Sequence, residues 1–168
     1  IDKQFARDIY TYEWAAAHLE ALGGEASRLR PRLVIANFKR WTMRELDFRR
    51  EAASASELAE AMASDAHYHV PAIDWDRTSG RVLTLEWLDG IKISERDKLV
   101  AAGHDLPAMA ANLVKSFLRQ AIAEGFFHAD MHQGNLFVLA DGRVAAVDFG
   151  IMGRINRKAR FWLAEILY

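Results

Sequence analysis

The chain has 168 residues, about one domain, and its 51% hydrophobic content is enough for a packed core. A formal net charge of -1, with no basic run interleaved with aromatics, excludes a nucleic-acid footprint. The absence of cysteine excludes disulfides and thiolate metal sites and fits a reducing compartment.

No apolar run approaches the roughly 18 residues of a spanning helix. The sequence opens on IDKQFARDIY, with neither signal peptide nor initiator Met, and stops inside KARFWLAEILY. Both ends are therefore expected to be cuts in a longer protein. Residues 2–22 carry Phe5, Ile9, Leu19 and Leu22 at helical spacing, and Gly23-Gly24 stops that helix. A second helical stretch covers about Ser27 to Ala63, with Pro31 tolerable only near its start and a break expected between Trp41 and Asp47. The segment HVPAIDWDRTSGRVLTLEWLDGIKI, rich in Val, Ile, Leu and Trp with a TSG turn, predicts a β-hairpin and a connector.

Ser94 is placed to cap a short helix ending near Gly103. Asp105-Leu106-Pro107 opens a helix through MAANLVKSFLRQAIAE that Gly125 closes. LFVLADGRVAAVDF reads as two short strands joined at Asp141-Gly142, and Asn156 is placed to cap a last helix. Strands and helices are segregated along the chain, which makes the fold class α+β.

The chemistry concentrates in HADMHQGN, residues 128–135, and VDFG, residues 147–150. One reading is a polar turn whose His and Asp merely satisfy backbone groups. A second is a metal-hydrolase cluster on His128, Asp130 and His132, which alternate on one face of an extended segment. That cluster explains neither Asn135 nor Asp148. The third reading uses all of them, because kinase catalytic loops follow His-x-Asp-x-x-x-x-Asn and then, beyond a hairpin, Asp-Phe-Gly. Phosphoryl transfer is catalysed mostly by positioning and charge stabilisation. Mg²⁺ takes oxygen ligands from one or two protein groups plus the nucleotide phosphates, which suits Asn135 and Asp148. Asp130 is then the group that orients the acceptor or takes its proton, and His128 orients the loop.

At EGFFHADMHQGNLFV, AVDFGIMGRI and RELDFRREAASA the sequence resembles the UbiB family of atypical, protein-kinase-like proteins associated with ubiquinone biosynthesis. The resemblance runs over essentially the whole chain. It implies a truncated kinase-like fold, with residues 1–88 the remainder of the N-lobe and 89–168 part of the C-lobe. It also implies ATP and Mg²⁺ as cofactors and ATPase or atypical kinase activity. Glu45 and Asp47 match the family's Glu-x-Asp motif, which engages a Lys-x-Gly-Gln segment over the active site. Glu51 matches the helix glutamate that pairs with the lysine of the ATP-binding strand. LTLEWLDG resembles the hinge between lobes, where backbone groups near Glu86, Trp87 and Leu88 would meet adenine. From pattern alone, Glu45, Asp47 and Glu51 also fit a solvated helix face beside Arg44, Arg49 and Arg50.

The resemblance further implies partners among ubiquinone-biosynthesis enzymes or lipid intermediates. It places the parent protein on the cytoplasmic face of a bacterial inner membrane, held through segments outside this chain. Two departures stand out. Gln133 occupies a position where family members usually carry proline, and no Gly- or Ala-rich nucleotide loop, strand lysine or Lys-x-Gly-Gln motif is present. Lys3 and Lys39 sit in helical patterns and do not replace them. Because positioning contributes about 7–11 kcal/mol only when both lobes clamp the nucleotide, the isolated piece is expected to be inactive. Alternatives are a small-molecule phosphotransferase of the aminoglycoside or choline kinase type and a pseudokinase-like module.

Overall fold

A computed structural model of the protein describes residues 2–167, with the backbone alone at residues 2, 3, 26, 44 and 45. The chain divides into two compact units, residues 1–47 and 48–168. The first contains α1 (Asp2–Ala21), α2 (Gly24–Arg28) and α3 (Pro31–Glu45). Gly23 and Gly24 adopt φ of 71° and 66°, a left-handed conformation that ends α1 and that a side chain would resist. The short α2 follows at once, an element the glycine pair does not announce. Pro31 occupies the first position of α3, where its missing N–H costs nothing. α1 packs along α3, with Phe5 6.5 Å from Phe38 between ring centres and Lys39 Nζ 2.8 Å from Glu13. That ion pair is exposed and adds little.

The second unit begins with α4 (Phe48–Ala61), so the expected helix break falls at residues 46–47. Ala52, Ala55 and Leu58 recur at helical spacing and are fully buried, giving α4 one apolar face. That face contributes to a core with Tyr68, Val70, Leu136, Val144, Ala146 and Phe149. The core lies against a four-stranded sheet of β1 (Tyr68–His69), β2 (Gly90–Lys92), β4 (Leu136–Leu139) and β5 (Val144–Ala146), ordered β1-β5-β4-β2. β4 pairs antiparallel with β5, Leu136 opposite Ala146 and Val138 opposite Val144, across the turn at Asp141-Gly142. All three residues of β5 are buried, as a central strand with no solvent face requires.

The hairpin expected over residues 69–93 is less regular than the composition implies. The chain doubles back at Gly80-Arg81, but its arms pair in isolated bridges, Ile73 with Leu85 and Ser79 with Val82, rather than in a continuous ladder. Asp74 instead caps a single turn of helix at Trp75–Arg77, which consumes backbone groups a ladder would need.

α5 (Arg96–Ala101) starts after Glu95, and no side chain caps it, so Ser94 does not play that part. α6 (Leu106–Leu118) is capped by Asp105, whose carboxylate accepts the Ala108 N–H at 3.0 Å. It continues as a π-helix, Arg119–Glu124, closed by Gly125 at φ 71°. Behind it, β3 (Phe126–His128) and β6 (Met152–Arg154) form an antiparallel ribbon, His128 opposite Met152. A Cβ at Gly153 would overlap the Phe127 ring, so glycine there lets the two strands close. α7 (Arg157–Leu167) is capped by Asn156, which accepts the Ala159 N–H at 2.9 Å. Arg160 reaches from α7 to the carbonyls of Ile122 and Ala123 at the end of the π-helix. Among the described residues, no helix is long and apolar enough to cross a membrane.

Candidate active site

The loop between β3 and β4 is folded by its own backbone. The His132 N–H donates to the Asp130 carbonyl at 2.8 Å, and the Asn135 N–H donates to the His132 carbonyl at 2.8 Å. His132 Nδ1 accepts the Gly134 N–H at 3.1 Å, capping a single helical turn over Gln133–Asn135. This turn carries Asn135 back towards Asp130. The Asn135 Nδ2 donates to the Asp130 carbonyl at 3.3 Å and to its Oδ2 at 3.4 Å. Those bonds use the amide nitrogen and leave the amide oxygen, the atom a hard cation takes, outside them.

The hairpin then brings the second acid into register. The Val147 N–H donates to the Asn135 carbonyl at 2.8 Å, just past the Leu136–Ala146 pair, and Asp148 is the next residue. Asp148 is exposed and adopts φ 68°, a left-handed conformation that aspartate enters more readily than most residues. Its Oδ1 accepts the Gly150 N–H at 3.3 Å.

Two anchors hold that conformation. The Phe149 side chain is fully buried in the core, edge-on to His128 with ring centres 5.6 Å apart. The Phe149 N–H donates to Glu51 Oε1 on α4 at 3.0 Å, across 98 positions of sequence. The glutamate expected to face a strand lysine therefore holds the backbone beside Asp148.

His128 is also fully buried, and its Nδ1 accepts the Asp130 N–H at 3.2 Å. Its own N–H donates to Gln120 Oε1 at 3.1 Å. Burial holds the His128 ring below its ordinary pKa, an effect partly offset by nearby backbone groups of Val147 and Asp148. Folding thus favours the neutral ring, and between the two pKa values the unfolded chain binds more protons. The stability His128 contributes is fully present above its ordinary value of 6.5 and is lost as pH falls from there through the folded-state value. Denaturation midpoints should fall as pH is lowered through and below 6.5, and His128→Asn should flatten that slope. Equal slopes in both proteins would contradict this assignment.

The other sequence candidates are more scattered. His132 is exposed while His128 lies in the core, so the two do not converge on an ion. Among the described residues, no group of three His, Asp or Glu side chains is placed to hold a metal. The oxygen donors of Asn135 and Asp148 are of the type a hard divalent cation takes when it keeps water and phosphate ligands of its own. Glu86 accepts the Ala72 N–H at 3.0 Å and bonds His69 Nε2 at 3.1 Å, and these contacts, the Ala72 bond first, hold its carboxyl below the usual range. The Glu86 N–H is itself committed to the Ala72 carbonyl at 2.8 Å. Trp87 is 90% exposed and Leu88 half-buried. Asp47 is half-buried, and the Glu45 side chain lies outside the described residues. Gln120, in the π-helix that continues α6, is the contact that motif reading passes over, although a glutamine in so apolar a helical stretch is a visible signal.

A mainly helical chain with a short β4–β5 hairpin, a His-Asp-Asn loop and an Asp-Phe-Gly segment anchored by its buried phenylalanine is a kinase-like fold in truncated form. The sequence matches the family model of the ABC1 atypical kinase-like domain over residues 1–168. The chain belongs to that family, in agreement with its resemblance to UbiB proteins. Among solved structures it is similar to the Mycobacterium tuberculosis protein Rv3197, determined in complex with erythromycin. That match has 27% identity and a TM-score of 0.54, and covers 72% of this chain and 30% of that one. A weaker match is the bifunctional kinase-methyltransferase WbdD, with 21% identity and a TM-score of 0.39, covering 70% of this chain and 28% of that one. The match thus spans less than a third of the length of either protein.

Proposed function

We propose that this chain is the catalytic-loop and metal-binding portion of a UbiB-type atypical kinase or ATPase. The observation that carries this reading is the juxtaposition of Asp130, Asn135 and Asp148 through the Asn135 amide and the Asn135–Val147 ladder bond. When bound, Mg²⁺ supplies charge neutralisation for the phosphates of ATP. Asn135, through its amide oxygen, and Asp148 are the residues to hold it. Asp130 positions the attacking hydroxyl or water and accepts its proton. His128 sets the direction of the Asp130 backbone, and Glu51 sets that of Asp148-Phe149-Gly150.

Adenine meets the chain around Glu86, Trp87 and Leu88, with the Glu86 N–H already spent on Ala72. Glu45 and Asp47 receive the Lys-x-Gly-Gln segment of the parent protein. That protein serves ubiquinone biosynthesis on the cytoplasmic face of a bacterial inner membrane, acting with biosynthetic enzymes or lipid intermediates. The support for these last assignments is the family resemblance.

In the full-length protein, Asn135→Ala should raise the Mg²⁺ concentration needed for ATP binding by roughly ten- to a hundredfold, the scale on which even outer-sphere partners of a metal act. Titrating Mg²⁺ at fixed ATP measures this. An unchanged requirement would remove Asn135 from the site.

A further inference from the structure

Burying a primary amide in an apolar helix is unfavourable unless the amide has work to do. Gln120 is fully buried, in the stretch FLRQAIAE where α6 passes into its π-helix. A π-turn admits an extra residue per turn and recurs at functional sites. Here it ends with the Gly125 N–H donating to the Gln120 carbonyl, five residues back. The chain then enters β3 directly.

Bonding alternates along an antiparallel strand. The Ala129 N–H bonds the Ile151 carbonyl across the ribbon at 3.0 Å. The preceding N–H, that of His128, points to the opposite side, where the two-stranded ribbon has no further strand. A buried N–H left without an acceptor costs about 1–3 kcal/mol. Gln120 Oε1 is the acceptor found there, at 3.1 Å. The His128 ring in turn accepts the Asp130 N–H. The sequence Gln120, His128, Asp130 is therefore a continuous line of hydrogen bonds from the helix to the loop aspartate. The Tyr68 hydroxyl, also buried, lies near the Gln120 amide.

We infer that Gln120 is a positioning residue, which sets the height of the catalytic loop through the His128 N–H and thereby the placement of Asp130. The inference rests on the phosphoryl-transfer reading above. A leucine or methionine would fill the same space, so the amide is explained by the N–H it accepts rather than by packing.

The test is steady-state ATP hydrolysis together with Mg-ATP binding by the full-length protein, well below its melting temperature. Gln120→Met removes the acceptor at nearly constant volume. It should lower kcat by roughly ten- to a hundredfold, the scale of a misplacement of about 1 Å, while the Kd for Mg-ATP stays within about twofold. Gln120→Glu keeps an acceptor oxygen at the same reach, and should retain more kcat than Gln120→Met even where its melting temperature is the lower of the two. If Gln120→Met does not fold, Gln120→Asn, one carbon too short for the bond, should show the kcat loss. Asp148→Asn runs beside them as the control on the site itself. A kcat within about twofold of wild type in the folded acceptor variant, with Mg-dependent binding lost in Asp148→Asn, overturns the role of Gln120 and leaves the site standing. Unaltered Mg-ATP binding in Asp148→Asn overturns the site, and the role of Gln120 with it.

Discussion

Phe149→Ala is expected to destabilise the protein by about 3–5 kcal/mol, the usual cost of emptying a fully buried aromatic position. Typical domains unfold at about 5–15 kcal/mol, so this one change removes a large share of the total. The site of the ring explains the size. Phe149 is fully buried, shares a core with Leu58, Met62, Leu136 and Val144, and meets His128 edge-on. The cavity would open beneath the residue that must keep φ at 68°, an unfavourable conformation that persists only where the surroundings impose it. Asp148 should therefore lose its orientation along with the stability. Phe149→Leu refills most of the volume and should cost less than half as much. Urea denaturation of the three proteins measures the difference, and a loss below about 1 kcal/mol for Phe149→Ala would show that the ring is not the anchor described.

Asp130→Asn should leave Mg-ATP binding nearly intact and reduce turnover by about 10²–10⁴-fold, the range of general acid–base contributions. The substitution is isosteric and keeps an oxygen that can accept the Asn135 amide, so the loop should hold its shape. What it removes is the proton acceptor. A parallel drop in kcat and kcat/KM identifies an interaction made in the transition state. Turnover equal to wild type would assign Asp130 a structural part instead.

How much of this was legible in the sequence depends on the range of each interaction. Local signals read well. Asp105 and Asn156 cap the helices they were expected to cap, Gly125 ends the stretch that begins at Asp105, and Asp141-Gly142 turns the hairpin between Asn135 and Asp148. In each case the determining contact spans a few residues, so residue type and spacing suffice. Ser94 shows the limit of even that, since a neighbouring residue begins the helix without a side-chain cap.

Contacts between distant segments did not announce themselves. β1 is two residues long and pairs parallel with β5, and β3 and β6 are three residues each. Segments so short have no periodicity to detect. Glu51, expected from its helix position to face a lysine, accepts the Phe149 N–H from 98 residues away, a contact no local pattern announces. The side chain of Glu86 turned out to serve its own segment, clasping Ala72 and His69. The histidines of HADMHQGN parted company for a similar reason. His128 points into a core built from distant elements, while His132 stays in solvent and folds its own turn.

The central claim is that Asn135 and Asp148, brought together by one hairpin, hold the metal of a nucleotide site. Isothermal titration of ATP into the full-length protein, with and without Mg²⁺, tests it most directly when wild type and Asp148→Asn are compared. The account predicts Mg²⁺-dependent binding by wild type and loss of that dependence in Asp148→Asn, with the fold intact by circular dichroism. Equal Mg²⁺-dependent binding by the two proteins would contradict it.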